Sequence, residues 1–217
     1  MTKAEIDRLG ERLRVRETAE DLALLGAYRE GFNTSFEAAV ERVRSALGVE
    51  VSGRPAKSTP AILAKLRRGS TRLSQIQDIA GCRIIVSGVV EQNQVCSEIQ
   101  SLFDVSLFDR REKPSYGYRA VHLVVRNLAF PVEIQVRTSL QHLWAALSEK
   151  MADHFDIALK YGGGPEELRS ELNGLSDDLA KIEKLIEQGE AKAQAEQVLG
   201  ASYDKISGLS RRLLPKP

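Results

Sequence analysis

The amino-acid sequence predicts an α/β fold of the α+β kind, in which a mixed sheet is flanked by helices. Apolar residues recur at helical spacing near both ends of the chain, whereas the middle contains a short apolar run, residues 84–86, typical of a buried central strand. Residues 118–126 and 131–137 alternate or run apolar on either side of a short connection, and this pattern predicts a β-hairpin.

The predicted elements fall into three segments, separated by composition. They are an N-terminal helical segment (1–50), a domain of mixed strands and helices (51–160) and a C-terminal helical segment (165–217). The run of three glycines at residues 162–164, followed by proline, marks the second boundary. We expect the N-terminal segment to pack on the domain that follows it and to carry no chemistry of its own.

Local signals define the helices more closely. The N-terminal pattern is interrupted near residues 31–35, where Thr34 or Ser35 could cap a second helix that Gly48 would end. After the hairpin, Thr138 or Ser139 could cap another helix. The predicted inner face of that helix consists of Leu140, Leu143, Trp144, Leu147 and Met151.

The C-terminal segment carries a heptad-like seam of apolar residues. Its members are Leu168, Leu172, Leu175, Leu179, Ile182 and Ile186. Such a seam either packs a helix on its own chain or joins subunits, and the sequence leaves both readings open. Gly189 and Gly200 interrupt the pattern, which argues against a long coiled coil.

Composition excludes several classes of protein. With 42% hydrophobic and 28% charged residues among 217, the chain is neither fibrous nor mainly disordered. Its 31 basic and 30 acidic side chains exclude a general polycationic coat for nucleic acid. Cys82 and Cys96 form neither a disulfide framework nor a metal cluster, and no stretch approaches the length of a membrane span. We therefore expect a cytoplasmic protein without membrane contact.

One stretch of the chain is basic and contains no acid. No aspartate or glutamate lies between Glu50 and Asp78, and the interval holds Arg54, Lys57, Lys65, Arg67, Arg68 and Arg72. Pro60 after two hydroxyl residues predicts the start of a helix, on which Ala61, Lys65, Arg68 and Arg72 would form one stripe and Ile62, Leu63 and Leu66 would face the core. A stripe of cations favours a polyphosphate such as a nucleoside triphosphate over a plain solvated face, although composition leaves ATP, RNA and other anions open.

Two acids stand where strand periodicity predicts a polar face. Asp78 comes shortly before the apolar run at 84–86, and Glu133 would lie with Tyr118, His122 and Gln135 on one surface of the hairpin. Carboxylates in such a place could hold Mg²⁺, which prefers oxygen ligands. The other reading is an ordinary polar face turned toward solvent.

Four motifs in order then resemble a known family. They are Gly53-Arg54 with the lysines and arginine that follow, residues 78–84 (Asp-Ile-Ala-Gly-Cys-Arg-Ile), residues 113–122 (Lys-Pro-Ser-Tyr-Gly-Tyr-Arg-Ala-Val-His) and residues 132–138 (Val-Glu-Ile-Gln-Val-Arg-Thr). Together they resemble the synthetase domain of the RelA/SpoT alarmone synthetases over roughly residues 50–155. The short flanks are similar to those of small single-domain members, so we expect neither a hydrolase domain nor a long regulatory region.

The resemblance implies a fold similar to nucleotidyltransferases and a specific reaction. A GTP/GDP pyrophosphokinase of this family transfers the β,γ-pyrophosphate of ATP to the ribose 3′-oxygen of GDP or GTP, which makes the alarmone (p)ppGpp and releases AMP. Such an enzyme uses Mg²⁺. The heptad-like seam of the C-terminal segment predicts a homo-oligomer, and because small members of the family are commonly tetramers, the resemblance makes a tetramer plausible.

The resemblance also implies a role for each matching residue. Arg54 would contact the adenine, and Lys57, Lys65 and Arg68 the ATP phosphates. Asp78 and Glu133 would bind Mg²⁺ and carry the catalysis, with Glu133 taking the proton of the 3′-hydroxyl. Tyr118 would stack on the acceptor base, supported by Lys113, His122 and Gln135, with His142 as a further acceptor contact. Ala61 and Ala146 depart from the residues that many relatives carry, a serine and a glutamate, which puts acceptor binding by the later helix in question.

Two alternatives stay open at this stage. Some small relatives are toxins that pyrophosphorylate the 3′ end of tRNA or use adenine nucleotides as acceptors, and such a protein would have an antitoxin partner. RNA could also act as a regulator. The second alternative is a nucleotide- or RNA-sensing module without catalysis, but the presence of both Asp78 and Glu133 speaks against a protein that only binds.

Overall fold

The structure is a computed structural model that describes residues 1–69, 71–155, 157–189 and Ala201. The helices of the described residues are α1 (Lys3–Val15), α2 (Ala19–Glu30), α3 (Asn33–Leu47), α4 (Thr59–Arg68), α5 (Val89–Leu102), α6 (Ser139–His154) and α7 (Glu166–Glu187). The strands are β1 (Ser52–Arg54), β2 (Ala80–Val86), β3 (Val105–Asp109), β4 (Val121–Val125) and β5 (Val132–Thr138). The mixed α/β fold predicted from the sequence is confirmed.

The five strands form one sheet in the order β1-β2-β5-β4-β3. The central strands are the apolar ones, because Ile84, Leu123 and Ile134 are each fully buried. The edge strand β1 runs antiparallel to β2, with Gly53 opposite Cys82. A β-carbon at Gly53 would lie only 2.6 Å from the Cys82 α-carbon, so this position requires glycine for the close approach of the two strands.

The chain divides into two compact units. The first contains Met1–Ile84, Val95–Phe108 and His122–Val136, and the second contains Ile85–Gln94, Asp109–Val121 and Arg137–Pro217. The segment boundaries predicted from the sequence stay predictions. Of the predicted C-terminal segment, residues 190–200 and 202–217 lie outside the described residues.

In the first unit the N-terminal segment forms three helices where the sequence pattern predicted one interruption. Thr18 starts a separate helix, because its hydroxyl accepts a hydrogen bond from the Asp21 N–H. The predicted cap of α3 is wrong: the helix begins before Thr34 and Ser35, and the Ser35 hydroxyl accepts from the Phe130 N–H at 3.0 Å instead. Gly48 ends α3 with a φ of 65°, as predicted.

Helix α4 starts as the sequence predicts. Ser58 is its N-cap residue and Pro60 lies in its first turn. Its core face consists of Ile62, Leu63 and Leu66, all buried. The predicted stripe is shorter than expected, because α4 ends at Arg68 and Arg72 lies beyond it.

The second unit is built around α6 and α7. The Thr138 hydroxyl caps α6 by accepting from the Gln141 N–H, and Trp144 and Met151 are buried as predicted. Leu143 is 55% exposed, so its predicted place on the inner face is wrong. Five of the six seam residues, all except Ile186, are buried in a core that includes Trp144. The seam therefore packs α7 on its own chain, and self-association gains no support from it.

Membrane crossing has no support in the structure. Among the helices of the described residues, none has both the length and the hydropathy of a membrane span.

Candidate active site

Two lysines and one aspartate form the basic end of the site in the first unit. The Lys57 Nζ lies 2.7 Å from Asp78 Oδ2, and the Lys65 Nζ lies 2.8 Å from Asp78 Oδ1. Lys65 comes from the middle of α4, and Lys57 from the loop before that helix. The acid that ends the basic stretch of the sequence is thus the acid that neutralises two of its cations.

These contacts change the acidity of Asp78. Burial raises the pKa of the carboxyl, but the charges and hydrogen bonds of Lys57 and Lys65 outweigh burial and lower its pKa from 3.8 to about 2. Asp78 is therefore a carboxylate at every physiological pH. Lysines held on a carboxylate are also held ready for another anion, since a phosphate oxygen can replace the carboxylate oxygen as hydrogen-bond acceptor.

Arg29 of α2 holds the loop that carries Lys57, a role that no sequence pattern predicted. Its Nε donates to the Lys57 carbonyl oxygen at 2.8 Å, and its Nη1 donates to the Thr59 hydroxyl at 3.1 Å. The Lys57 N–H in turn donates to the Ile79 carbonyl oxygen at 2.7 Å. The main chain of Lys57 is fixed on both sides, by the N-terminal helices and by the residue that follows Asp78.

Glu133 of β5 lies between two polar side chains. His122 Nδ1, from β4, lies 2.8 Å from Glu133 Oε1, and Gln135 Nε2 donates to Glu133 Oε2 at 2.7 Å. The predicted sharing of one sheet face by His122, Glu133 and Gln135 is consistent with these contacts. The side chains of His122 and Glu133 are only 10% and 14% exposed, so this is not an ordinary solvated face.

The surroundings of Glu133 favour its charged form. Burial raises the pKa of the Glu133 carboxyl. The hydrogen bonds with His122 and Gln135 and the charge of His122 together outweigh burial, so the pKa lies below its ordinary value. The negative charge of Asp78 acts in the opposite direction, which places the two carboxylates within electrostatic reach of each other. Cys82 of β2 is also buried, and burial together with the charge of Glu133 raises the pKa of its thiol to about 12.

The two carboxylates fit a magnesium ion whose remaining coordination positions are filled by substrate and water. Among the described residues no group of three or more histidine, cysteine, aspartate or glutamate side chains could hold a metal by itself. Mg²⁺ usually takes one or two carboxylates and completes its octahedron with water and substrate phosphates, so two nearby acids suffice. Asp78 and Glu133 are the residues that would hold it.

Tyr118 does not lie where the hairpin pattern placed it. Strand β4 begins at Val121, and Tyr118 instead closes a tight turn of residues 115–118, here called the Tyr118 turn. The N–H groups of Ser115 and Tyr118 each donate to the carbonyl oxygen of the other, at 3.2 and 3.0 Å. The prediction that Tyr118 shares a strand face with His122 is therefore wrong, because the turn interrupts the alternation.

The Tyr118 turn belongs to the second unit and has an unusual backbone. Its two central residues, Tyr116 and Gly117, have φ values of 53° and 84°. Both lie in the left-handed region, as in the type I′ turns of hairpins, and a bulky residue such as Tyr116 adopts it at a cost of about 1–3 kcal/mol. A β-carbon on Gly117 would lie 2.6 Å from the Trp144 ring, so only glycine fits there.

Arg137 packs on the Tyr118 side chain. The Arg137 guanidinium lies 5.0 Å from the centre of the Tyr118 ring, and its Nη2 donates to the Tyr118 hydroxyl at 2.9 Å. The two contacts fix both the plane and the polar end of the ring. The ring also packs against the hydrophobic core around Trp144, so several contacts define its position.

The remaining predicted site residues lie on α4, on α6, in β1 and in the loop before the Tyr118 turn. Arg54 is exposed at the end of β1, opposite Gly81 of β2. Arg68 is exposed at the end of α4, and Lys113 is exposed in the loop before the Tyr118 turn. His142 is half-buried on α6. Their nucleotide contacts stay predictions, as does the effect of Ala61 and Ala146.

Comparison with known proteins places this geometry in a family. The family described as "Region found in RelA / SpoT proteins" matches residues 53–154. The GTP pyrophosphokinase YjbM of Bacillus subtilis is 30% identical over 177 residues, which cover 73% of this chain and 78% of that protein. The chain belongs to the RelA/SpoT family. The resemblance read from the four motifs is thereby confirmed.

Solved structures of other proteins agree with the fold. The small alarmone synthetase 1 of Bacillus subtilis, bound to its product pppGpp, is 25% identical with a TM-score of 0.57, over 73% of this chain and 94% of that one. The type VI effector Tas1, in complex with its immunity protein, has a TM-score of 0.53 at 17% identity and shares the fold alone.

Another similar protein is longer than this chain, and the similarity covers only part of it. An uncharacterised protein of Mycobacterium tuberculosis is 44% identical over 118 residues, which are 52% of this chain. This chain covers 43% of the length of that protein.

Proposed function

We propose that this chain is a GTP pyrophosphokinase, an alarmone synthetase that transfers the β,γ-pyrophosphate of ATP to the 3′-hydroxyl of GDP or GTP. The observation that carries the proposal is the pair of clusters in the first unit. Lys57 and Lys65 lie on Asp78, and His122 and Gln135 lie on Glu133. Cations for a triphosphate thus accompany a carboxylate fit to act as a base.

The donor nucleotide occupies the basic cluster. Lys57 and Lys65 leave Asp78 for the β- and γ-phosphates, where their charge stabilises the negative charge that spreads over the transferred group. Arg68 adds a further phosphate contact and Arg54 holds the adenine. Each lysine needs to move only a short distance from the Asp78 carboxylate to a phosphate oxygen, because its ammonium group is carried on a flexible side chain.

Glu133 serves as the general base. It takes the proton from the 3′-hydroxyl of the acceptor, and the resulting oxygen forms a bond to the β-phosphorus of ATP. The bond from that phosphorus to the bridging oxygen of the α-phosphate breaks, and AMP leaves with the electron pair. His122 and Gln135 support the role by orienting the two oxygens of Glu133.

Mg²⁺ is the proposed cofactor, and Asp78 and Glu133 would hold it. When bound, it neutralises phosphate charge and aligns the reacting groups. For the acceptor, Tyr118 provides the stacking surface for the base, and Lys113, His122, Gln135 and His142 support the nucleotide. Arg137 packs on the ring and donates to its hydroxyl, which would hold the ring in place for this contact.

Several finer properties belong to the same proposal. We expect the protein to act in the cytoplasm and to form a homo-oligomer, with a tetramer as the first arrangement to test. RNA as an acceptor or regulator, and an antitoxin as a partner, stay open proposals. The oligomer is tested by light scattering over a wide range of protein concentration, and a monomer throughout would overturn it.

A transfer assay tests the proposed activity. Protein, Mg²⁺ and ATP labelled at the γ-phosphate are incubated in parallel with GDP, with GTP, with deacylated tRNA or with no other acceptor. Label on a guanine nucleotide, absent in the Glu133→Gln variant, supports the proposal. Label on tRNA or on an adenine nucleotide would replace it with the toxin-like activity. Folded protein that binds ATP but transfers nothing would replace it with a sensing module.

A further inference from the structure

We propose that Ser176 of α7 is a positioning residue that holds the Tyr118 turn ready for the acceptor base. The inference rests on the proposed function, because that function assigns Tyr118 to the acceptor. Ser176 would not touch the nucleotide. It would act through the backbone of Gly117, and it would determine how tightly GDP or GTP binds rather than how ATP binds.

The contacts of Ser176 form a short relay within the second unit. Its hydroxyl donates to the Gly117 carbonyl oxygen at 2.5 Å and accepts from Arg119 Nε at 3.0 Å. Arg119 is held in turn by Asp177, whose Oδ1 lies 2.7 Å from Arg119 Nη2. Ser176 itself is only 2% exposed, so no water can easily replace these bonds.

The turn needs such support because of its backbone. Tyr116 and Gly117 both have a positive φ, and a bulky side chain adopts that region only where its surroundings enforce it. The Gly117 carbonyl belongs to the peptide bond that joins Gly117 to Tyr118. A hydrogen bond to its oxygen therefore fixes the orientation of that peptide, and with it the direction in which the Tyr118 side chain leaves the turn. Ser176 thus contacts the residue immediately before Tyr118, Gly117, and the residue immediately after it, Arg119.

Ser176 lies outside residues 53–154, the region that matches the family. The C-terminal helix α7 therefore contributes to the acceptor site of this chain beyond what the family motifs contain. Asn173, one turn earlier on α7, lies near the same glycine, because its Oδ1 would be 3.0 Å from a β-carbon there. Helix α7 thus lines the back of the turn with polar groups, in addition to packing its leucines in the core.

The test compares three variants by calorimetric titration with GDP and, separately, with the non-hydrolysable ATP analogue AMPCPP. Ser176→Ala removes both bonds of the relay, and we expect GDP binding to weaken about tenfold while AMPCPP binding changes less than about twofold. Ser176→Thr keeps a hydroxyl at the same atom and should restore GDP binding. Ser170→Ala makes the same chemical change at an exposed position of α7 and should alter neither ligand. Equal weakening of both ligands, or unchanged GDP binding in Ser176→Ala, would overturn the proposal.

Hydrogen exchange separates this inference from the proposed function, because it needs no nucleotide. The Tyr118 N–H is bonded to Ser115 within the turn, so its exchange reports how well the turn is held. We expect this amide to exchange several-fold faster in Ser176→Ala than in the natural chain or in Ser176→Thr. Unchanged exchange would refute the positioning role even in an active enzyme. Faster exchange in a protein that transfers no pyrophosphate would retain the role and refute the function.

Discussion

Lys57 is joined to Asp78 through its side chain and to the following residue, Ile79, through its main chain. The ammonium group contacts the Asp78 carboxylate at 2.7 Å, and the Lys57 N–H donates to the Ile79 carbonyl oxygen at the same distance. A lysine fixed at both ends of its side chain has little freedom to lose when a phosphate arrives.

The hydrogen bonds of Arg29 to the Lys57 loop predict that this residue affects ATP binding, although it lies outside the region that matches the family. Arg29→Ala removes the charged hydrogen bond to the Lys57 carbonyl, so the loop gains freedom and the KM for ATP should rise about tenfold. Arg29→Lys should restore part of the ATP affinity, because the lysine ammonium group can still donate a hydrogen bond to the loop. Steady-state kinetics at saturating GDP measure the change.

Arg12 provides the matched control for Arg29. It is also an arginine of the N-terminal helices, but its partner is Asp21, at 2.7 Å between α1 and α2. Arg12→Ala should leave the KM for ATP within about twofold of the natural value, since the contact it removes is with Asp21 and not with the Lys57 loop. An equal rise in both alanine variants would show that the N-terminal helices act only through general stability.

The lowered pKa of Asp78 predicts a specific dependence of stability on pH. Because the folded pKa, about 2, lies below the ordinary value of 3.8, the stabilising contribution is present above the ordinary value and is lost as the pH falls toward the folded one. The difference in unfolding free energy between the natural chain and Asp78→Asn should therefore shrink, by on the order of 2 kcal/mol, between about pH 5 and about pH 2. Urea unfolding at a series of pH values measures it, and a constant difference would contradict the ion pairs.

Glu133→Gln should separate chemistry from binding. The amide cannot accept the proton of the 3′-hydroxyl, so kcat should fall by about 10² to 10⁴. The lysines that we propose to bind phosphate remain, and ATP binding measured by calorimetry should change less than about threefold. Near-natural turnover in this variant would exclude Glu133 as the base, and a parallel loss of ATP binding would indicate that the variant disturbs the basic cluster.

Two glycine-to-alanine changes should have opposite signs. Gly117→Ala places a β-carbon against the Trp144 ring at a φ of 84°, and we expect it to destabilise the protein by about 1–3 kcal/mol and to weaken GDP binding. Gly174 lies in α7 with nothing within 4 Å of its added carbon, so Gly174→Ala should stabilise by about 0.5–1 kcal/mol. Thermal unfolding of both variants gives the comparison, and a harmless Gly117→Ala would disprove the tight fit of the turn.

Sequence patterns predicted the features that depend on short-range periodicity. The alternation around Glu133 placed it correctly with His122 and Gln135, because strand geometry repeats every two residues. The proline after Ser58 and Thr59 likewise located the start of α4. Tyr118 was misplaced, since two consecutive residues of positive φ ended the alternation and a tyrosine gives little warning of that conformation.

Other features depend on partners distant in the chain and leave no pattern. Arg29 binds a main-chain carbonyl, and every residue has one, so no side chain marks its target. The heptad-like seam indicated which face of α7 is apolar, but a periodic pattern does not indicate which element covers that face. In the structure, α6 of the same chain covers it. Ser176 is buried among leucines of that seam, and a single serine there has no periodic signature.

The burial of both cysteines has a practical consequence for spectroscopy. Cys82 and Cys96 are the only thiols in the chain; both are buried, and the pKa of Cys82 is about 12, so that thiol stays protonated and unreactive in the folded protein. A cysteine introduced at an exposed position, such as Glu149 on α6, would therefore react first with a maleimide dye or a spin label. Fluorescent or paramagnetic probes can be attached site by site without first removing the natural thiols, so the surroundings of Cys82 remain undisturbed by the labelling.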